Sequence, residues 1–502
     1  MHDDLRIPYQ ERDLPVVQLG GILLDDHLLP DSPVNLVLKS FNRHGLIAGA
    51  TGSGKTKTIQ VLSEQLSLLG VPSLVMDIKG DISGLARPGE ATPALLERTQ
   101  SLGLNYTPRA FPVEFLTLNG SPQEGVPLRS TVKDFGAILF SRMLDINETQ
   151  AGVVTILFEF AKESNLPLND LADIKALLQF VQTAEGKKNI EARFGGVATA
   201  SVGTIVRKII ELEAQGGAQF FGEPAFNVMD LVRTNAEGQG IISILRLLDM
   251  QDKPKVFSTF MLKLLSDVYR QMPELGDPAK PRLVFFIDEA HLIFSNASKA
   301  LLNLLNTIVK LIRSKGIGLI FCTQTPNDIP DSVLSQLGLK IQHALRAFTA
   351  KDRKAMKLIA QNFPASKYYD TEQLLTSLGI GEGLVSGLDA EGEPTPLVEC
   401  LVRAPESRMG ILSQQELAAV VAESTLIPRY GQRIQQKSAQ ELLAQMPGSK
   451  DKSDNTTKSR RASNEEGMIE KISKSTLFRQ IMRQTMRDLF RALLSALGVR
   501  RR

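Results

Sequence analysis

Gly49-Ala50-Thr51-Gly52-Ser53-Gly54-Lys55-Thr56 fits the pattern G-x-x-x-x-G-K-[ST] at every position. Its surroundings fit as well. The apolar run Leu46-Ile47-Ala48 leads in as a strand, and residues 58–69 follow as a helix with Ile59, Val61, Leu62, Leu66 and Leu69 mostly along one face. A glycine-rich turn between strand and helix curls so that its N–H groups point inward, and the helix N-terminus adds a partial positive charge. Such a loop cradles phosphates. The spacing assigns residues 49–56 and Thr58 to a nucleotide site, with Lys55 on the β- and γ-phosphates and the Thr56 hydroxyl on Mg²⁺.

A phosphate loop alone implies binding, and a second stretch implies chemistry. Leu283-Val284-Phe285-Phe286-Ile287 is an unbroken apolar run, the mark of a strand buried on both faces, and it delivers Asp288-Glu289-Ala290-His291. An acidic pair in that position completes a hydrolytic site. Asp288 holds the metal shell through Thr56 or water, and Glu289 orients and deprotonates the attacking water. The simpler reading, an acidic strand end capping the next helix, is outweighed by the complete phosphate loop. Asp-Glu-Ala-His also spells a motif of one class of RNA helicases, but the sequence lacks the Ser-Ala-Thr-like segment and the second arginine-rich ATPase motif of those enzymes.

Three further positions carry two readings each. Gln324 follows a strand over 318–322; it is a sensor beside the γ-phosphate or an ordinary polar loop residue. Arg313 lies near the end of a helix over 299–315; it is a surface arginine or a finger reaching into a neighbouring subunit's site. Asp77 ends an apolar run over 72–78 with Lys79 just beyond, where open α/β sheets bind ligands; Asp77 alternatively caps the residues after it.

Composition narrows the class. With 43% hydrophobic and 23% charged residues among 502, the chain has the balance of a soluble globular protein of two or three domains. No apolar run approaches the roughly 20 residues of a membrane span, and the acidic, polar N-terminus has no signal-peptide core, so a cytoplasmic protein is expected. Cys322 and Cys400 stand far apart without partners, which excludes a disulfide framework and leaves buried thiols. Trp is absent and Tyr scarce, which argues against a surface stacking single-stranded bases. The net charge of +3 is uneven. Residues 467–502 hold nine basic residues against Glu470 and Asp488, a surplus of seven that leaves the rest at −4. Broad attraction to nucleic acid must therefore be local.

The alternation of strands with amphipathic helices predicts a parallel α/β sheet. Residues 1–40 read as an arm with one strand over 16–24 and turn signals at Pro30-Asp31-Ser32-Pro33. Residues 41–126 form the first part of the ATPase core, with 88–126 rich in Pro, Gly and Asn around one strand at 113–118. Residues 127–237 read as a mostly helical insertion, which accounts for the 233 positions between Lys55 and Asp288. Residues 238–445 complete the core. A polar linker over 446–466 leads to a basic amphipathic helix over 467–502, whose Arg479, Arg483, Arg487 and Arg491 form an i,i+4 row. That helix would lie on an anionic membrane, bind nucleic-acid phosphate, or dock on this protein or a partner.

Taken together, Arg43 through Thr56, Asp77-Ile78-Lys79-Gly80, Phe286 through His291, and Arg313-Ser314-Lys315-Gly316-Ile317-Gly318 running to Thr323-Gln324 resemble the HerA/FtsK branch of additional-strand P-loop ATPases, and within it the YjgR-like group of HerA-type proteins. The resemblance extends over roughly residues 16–405. It implies a RecA-like core with a parallel-rich sheet flanked by helices, ATP and Mg²⁺ as ligands, a homo-oligomeric ring, commonly a hexamer, and double-stranded DNA as substrate. It also implies that Arg313 acts across the subunit interface and that Gln324 is the sensor. Two departures stand out: about 40 residues precede the phosphate loop where HerA carries a β-barrel, and one basic helix stands where FtsK-type translocases carry a winged helix. The expected function is that of a HerA-like ATPase translocating or remodelling DNA. The alternative is a non-translocating ATP switch controlling docking of a partner protein or membrane. A small-molecule kinase is disfavoured, since no lid-like arginine cluster follows the loop.

Overall fold

All five residues of Leu283–Ile287 are buried, and they divide by parity: Leu283, Phe285 and Ile287 enter one hydrophobic core while Val284 and Phe286 enter another. A strand that packs on both sides has no polar face, which is why this run reads as continuous rather than alternating. In the computed structural model, which describes residues 2–445 apart from 11, 12, 249, 251, 297, 298, 347, 348, 435 and 436, this strand lies inside one twelve-stranded sheet.

The strands in chain order are β1 (Val16–Leu24), β2 (His27–Val37), β3 (Gly45–Ala48), β4 (Ser73–Asp77), β5 (Val113–Thr117), β6 (Val126–Pro127), β7 (Ile242–Arg246), β8 (Leu283–Ile287), β9 (Ile317–Thr323), β10 (Leu339–Gln342), β11 (Glu382–Ser386) and β12 (Val398–Val402). Their spatial order is β2-β1-β12-β11-β10-β3-β9-β8-β4-β7-β5-β6. From β10 to β6 every pairing is parallel. The additional strand that the resemblance implies is β9, inserted between β3, which enters the phosphate loop, and β8, which delivers the acidic pair.

The other edge is antiparallel, which the alternation of strand and helix did not foretell. β10, β11, β12, β1 and β2 pair antiparallel in succession. Asp25 and Asp26, both at positive φ (51° and 61°), make the two-residue turn between β1 and β2. Residues 16–37 are therefore the rim of the main sheet rather than an arm laid against it. The expected turn at Pro30-Asp31-Ser32-Pro33 lies within β2. Proline is tolerated there because β2 is the edge strand and pairs on one side alone.

Helices cover both faces. On one side the helices Val132–Met143, Glu148–Glu163, Leu171–Phe180, Ala184–Phe194 and Thr199–Ala214 pack with Pro254–Gln271 and Lys299–Leu311. The first four of the insertion begin at polar caps, Thr131, Asn147, Asp170 and Thr183, each accepting an otherwise unpaired backbone N–H. On the opposite side lie the phosphate-loop helix Lys55–Leu68, the N-terminal Leu5 and Tyr9, and the helix Gln414–Ala422. The proline-rich stretch at 88–126 also holds a helix, Pro93–Ser101, that its composition concealed. Both cysteines are buried free thiols. Among the described residues no helix is long and apolar enough to cross a membrane. The linker over 446–466 and the basic helix over 467–502 lie outside the described residues.

Candidate functional site

Parallel strands present their carboxyl ends together, and in this sheet β3, β9, β8 and β4 bring four functional loops to one edge. The phosphate loop leaves β3 pinned on two sides: Gly49 N–H donates to the Thr323 carbonyl (3.3 Å) and Ala50 N–H to the Ala344 carbonyl (2.8 Å). Two of its glycines are there because no side chain fits. A Cβ on Gly49 would stand 2.6 Å from the His343 Cβ, and Gly54 has φ +121° with Gly381 3.2 Å from where its Cβ would be.

Lys55 begins the helix and bends back over the loop. Its Nζ donates to the carbonyls of Gly49 (2.6 Å) and Ala50 (3.1 Å). Burial lowers its pKa, as does the charge of Lys79, while Glu289 and Asp288 act in the opposite sense. Those four charged groups therefore share one field. The Thr56 hydroxyl donates to Asp81 Oδ2 (3.1 Å). Thr58 is turned away from this surface: its buried hydroxyl is 2.9 Å from His343 Nε2, behind the loop rather than among nucleotide contacts. His343 in turn places Nδ1 2.7 Å from the Glu382 carbonyl, which makes Nδ1 the donor and Nε2 the acceptor. Burial pulls the His343 pKa down to about 4, so the ring is a neutral strut.

Asp288 and Glu289 follow β8, and both are about 95% buried. Burial, then the charge of Glu289, pushes the Asp288 carboxyl up to about 7. The Glu289 carboxylate is paired with Lys79, and His291 Nδ1 stands 3.1 Å from its other oxygen. Its backbone lies in the left-handed region at φ +45°, a conformation that costs on the order of 1 kcal/mol for a residue with a Cβ. Gln324 is exposed immediately beyond β9, next to the strand that feeds the phosphate loop.

The 77–81 turn answers one open reading. Asp77 is buried and accepts from Gly80 N–H (2.7 Å) and Ile82 N–H (3.3 Å), so it caps its own turn. Burial first, then the charge of Asp81, raises its carboxyl to about 6 despite those bonds. The residues facing the site are Lys79 and Asp81 instead. The sequence assigns Asp81 no role; its contact with Thr56 joins positions 25 apart, and no spacing rule signals it. Arg98 was also passed over. Its guanidinium donates to the Gly381 carbonyl (2.6 Å) and the Val402 carbonyl (2.8 Å), and Gly381 N–H donates to the Ser53 carbonyl (3.1 Å), bracing the loop from the antiparallel edge.

Arg313 does not join this cluster. It lies in the turn Ile312–Lys315 before β9, at the amino end of a strand whose carboxyl end touches the phosphate loop. Seven strand residues at about 3.3 Å each put roughly 20 Å between the two ends. Arg313 stands 3.7 Å from Asp277, which also pairs with Lys39 at 2.8 Å; Asp277 is exposed and both basic partners are partly so.

Known proteins are similar to this chain in sequence and in fold. The DNA double-strand break repair helicase HerA of Saccharolobus solfataricus is 25% identical over 378 residues, covering 74% of this chain and 67% of that protein. Its namesake from Sulfurisphaera tokodaii is 24% identical over 393 residues, 76% of this chain and 70% of that protein. The bacterial conjugative coupling protein TrwB superposes with a TM-score of 0.52 at 14% identity over 81% of this chain and 94% of that one. TrwB has also been solved with ADP and Mg²⁺, a structure that matches with a TM-score of 0.51 at 15% identity over 83% of this chain and 94% of that one. At such identity the superposition speaks for the fold, a RecA-like P-loop core. The family model of the helicase HerA-like C-terminal region matches residues 24–467, and the chain belongs to that family of P-loop ATPases.

Proposed function

We propose that this protein hydrolyses ATP with Mg²⁺ in a ring of identical subunits, a hexamer, and couples hydrolysis to moving along or remodelling double-stranded DNA. The observation that carries the reading is the convergence of Lys55 with Asp288 and Glu289 at one sheet edge, close enough for each charge to act on the next. Lys55 leaves its loop carbonyls for the β- and γ-phosphates, and the N–H groups of residues 49–56 cradle them. The Thr56 hydroxyl and Asp288 would hold Mg²⁺, with Asp81 in contact with that hydroxyl. The donor set suits that ion: hard oxygen atoms, one of which, Asp81 Oδ1, is buried without a hydrogen-bond partner. Bound there, the ion would supply positive charge to offset the negative charge that develops on the phosphates. Glu289 orients the attacking water and takes its proton, and Gln324, exposed just beyond β9, serves as the sensor of the γ-phosphate.

Arg313 is the argument for a ring. It sits too far from its own phosphate loop to serve it, and its side chain is partly exposed on the turn before β9. A neighbouring subunit presenting its phosphate loop to that face would receive the guanidinium. DNA as the substrate follows from the HerA helicases, whose sequences cover most of this chain.

The test is steady-state ATP hydrolysis by the full chain, with and without linear double-stranded DNA. Turnover is expected to rise with DNA. Glu289→Gln is expected to keep ATP binding and lose turnover by about a thousandfold, the scale of a missing base and water-orienting group. Normal turnover in that variant would remove Glu289 from the chemistry. Robust hydrolysis indifferent to DNA would leave the ATPase and replace the translocase with a switch acting on another partner.

A further inference from the structure

Glu289 is a buried carboxylate in a strained backbone position, and a charge so placed needs a fixed partner to hold its direction. Two groups stand against it. His291 belongs to the same loop and is two residues along. Lys79 comes from elsewhere, the turn after β4, and reaches across to the loop after the adjacent strand β8.

That turn is built to hold Lys79 still. Asp77 binds Gly80 N–H and Ile82 N–H, and Leu247 N–H binds the Asp77 carbonyl (2.9 Å), so the backbone on both sides of Lys79 is anchored. Gly80 sits at φ +78°, a left-handed conformation that glycine takes without strain, so the turn closes tightly just after Lys79. Two residues on, Asp81 holds the Thr56 hydroxyl. One short turn thus grips both Thr56 of the phosphate loop and Glu289 of the acidic pair.

Resting on the hydrolytic reading of Glu289, we infer that Lys79 is a positioning residue for this reaction: its ammonium holds the Glu289 carboxylate in the direction from which it takes the proton of water. Lys79 acts through Glu289 and not by binding nucleotide. A cation on a flexible stem held by an anchored turn can keep this pairing while the phosphate loop changes its own contacts.

The experiment measures kcat, KM and the dissociation constant of a fluorescent ATP analogue for the full-length wild type, Lys79→Met, Lys79→Arg and Glu289→Gln. Lys79→Met is expected to lower kcat about thirtyfold, within the range for a misoriented base, with KM and analogue affinity within about twofold of wild type. Lys79→Arg is expected to recover most of that loss, since it restores a cation at similar reach. Single-turnover hydrolysis in the Glu289→Gln background is expected to be insensitive to Lys79→Met, because the two residues act as one unit. Weakened binding of the ATP analogue with unchanged kcat would make Lys79 a phosphate ligand and overturn the inference. A multiplicative loss in the double variant, or unchanged turnover in Lys79→Met, would overturn it too. Normal turnover in Glu289→Gln alone would instead sink the reading on which it rests, so the two failures are told apart.

Discussion

The two ends of β9 are held by different physics. At the carboxyl end the phosphate loop is braced by buried, largely uncharged contacts: backbone bonds to Thr323 and Ala344, the neutral His343, and the carbonyls that Arg98 gathers. At the amino end Arg313 stands beside the exposed Asp277 and the partly exposed Lys39, within reach of solvent. Exposed pairs of this sort are worth little and are screened by salt, whereas buried hydrogen bonds are not. One end is fixed, and the other is free to be taken over by something better than Asp277. A shape like that suits a subunit carrying half of a site on each edge.

The sharpest way to break this comparison is to remove one residue from each end. Arg313→Ala is expected to cut turnover about a thousandfold, the scale of a finger acting in trans, while leaving ATP affinity near wild type. Gln324→Ala is expected to cost less, about a hundredfold, as loss of one donor at a site that otherwise remains whole. Mixing is the decisive readout. Arg313→Ala and Glu289→Gln subunits together recover activity if each damages a different half, since a mixed interface can join an intact Glu289 with an intact Arg313. Absence of recovery in a mixed assembly would return Arg313 to its own subunit or to the surface.

His343 probes the fixed end with a smaller effect. Its Nε2 accepts from Thr58, and its Nδ1 donates to the Glu382 carbonyl, so a single ring ties the phosphate-loop helix to β11. His343→Ala leaves the buried Thr58 hydroxyl without that partner, a cost of about 1–3 kcal/mol before any cavity is counted. The expected outcome is a melting temperature several degrees lower and an ATP affinity about tenfold weaker, read by thermal unfolding and by titration of a fluorescent analogue. An unchanged affinity with a lowered melting temperature would show that the loop keeps its shape without the strut.

How much of this was legible in the sequence follows the same division. The phosphate loop, the buried strand Leu283–Ile287 and the helices of the insertion announce themselves through local spacing, because glycine placement and periodicity are decided within a few residues. The bracing is not local. His343 meets Thr58 from 285 positions away, and Arg98 meets Val402 from 304. Asp77, at the end of a strand on the right edge, reads equally as a ligand or a cap; its carboxyl is consumed by its own turn, and Asp81 four residues on takes the outward place. The antiparallel rim was hidden for a related reason: edge strands tolerate proline, so β2 looked like a turn.

The smallest expected effect concerns the back of the phosphate-loop helix. Glu64 is 1% exposed there and accepts hydrogen bonds from Glu406 N–H (2.9 Å), Ser407 N–H (3.0 Å) and the Ser407 hydroxyl. Gln60 donates to the Ser407 hydroxyl (2.6 Å) and Lys57 to the Met409 carbonyl (2.5 Å), so residues 406–409 are strapped across the helix. Burial raises the Glu64 carboxyl from an ordinary 4.5 to about 7, against the opposing pull of those donors. Between these values the folded chain holds a proton that the unfolded chain has released. The stability tied to that proton is fully present below about 4.5 and is lost as pH rises through about 7. Glu64→Gln carries no such proton. Between pH 5 and pH 8 the wild type is therefore expected to lose a few degrees of melting temperature relative to Glu64→Gln, a difference that thermal unfolding resolves. The Arg313 end makes the complementary prediction of no comparable pH slope, because its carboxylate Asp277 is exposed and held below the usual range by Lys39, so it stays charged throughout that window. Parallel pH curves for wild type and Glu64→Gln would place the titrating brace elsewhere and erase the distinction between a buried, proton-sensitive end and an exposed, salt-sensitive one.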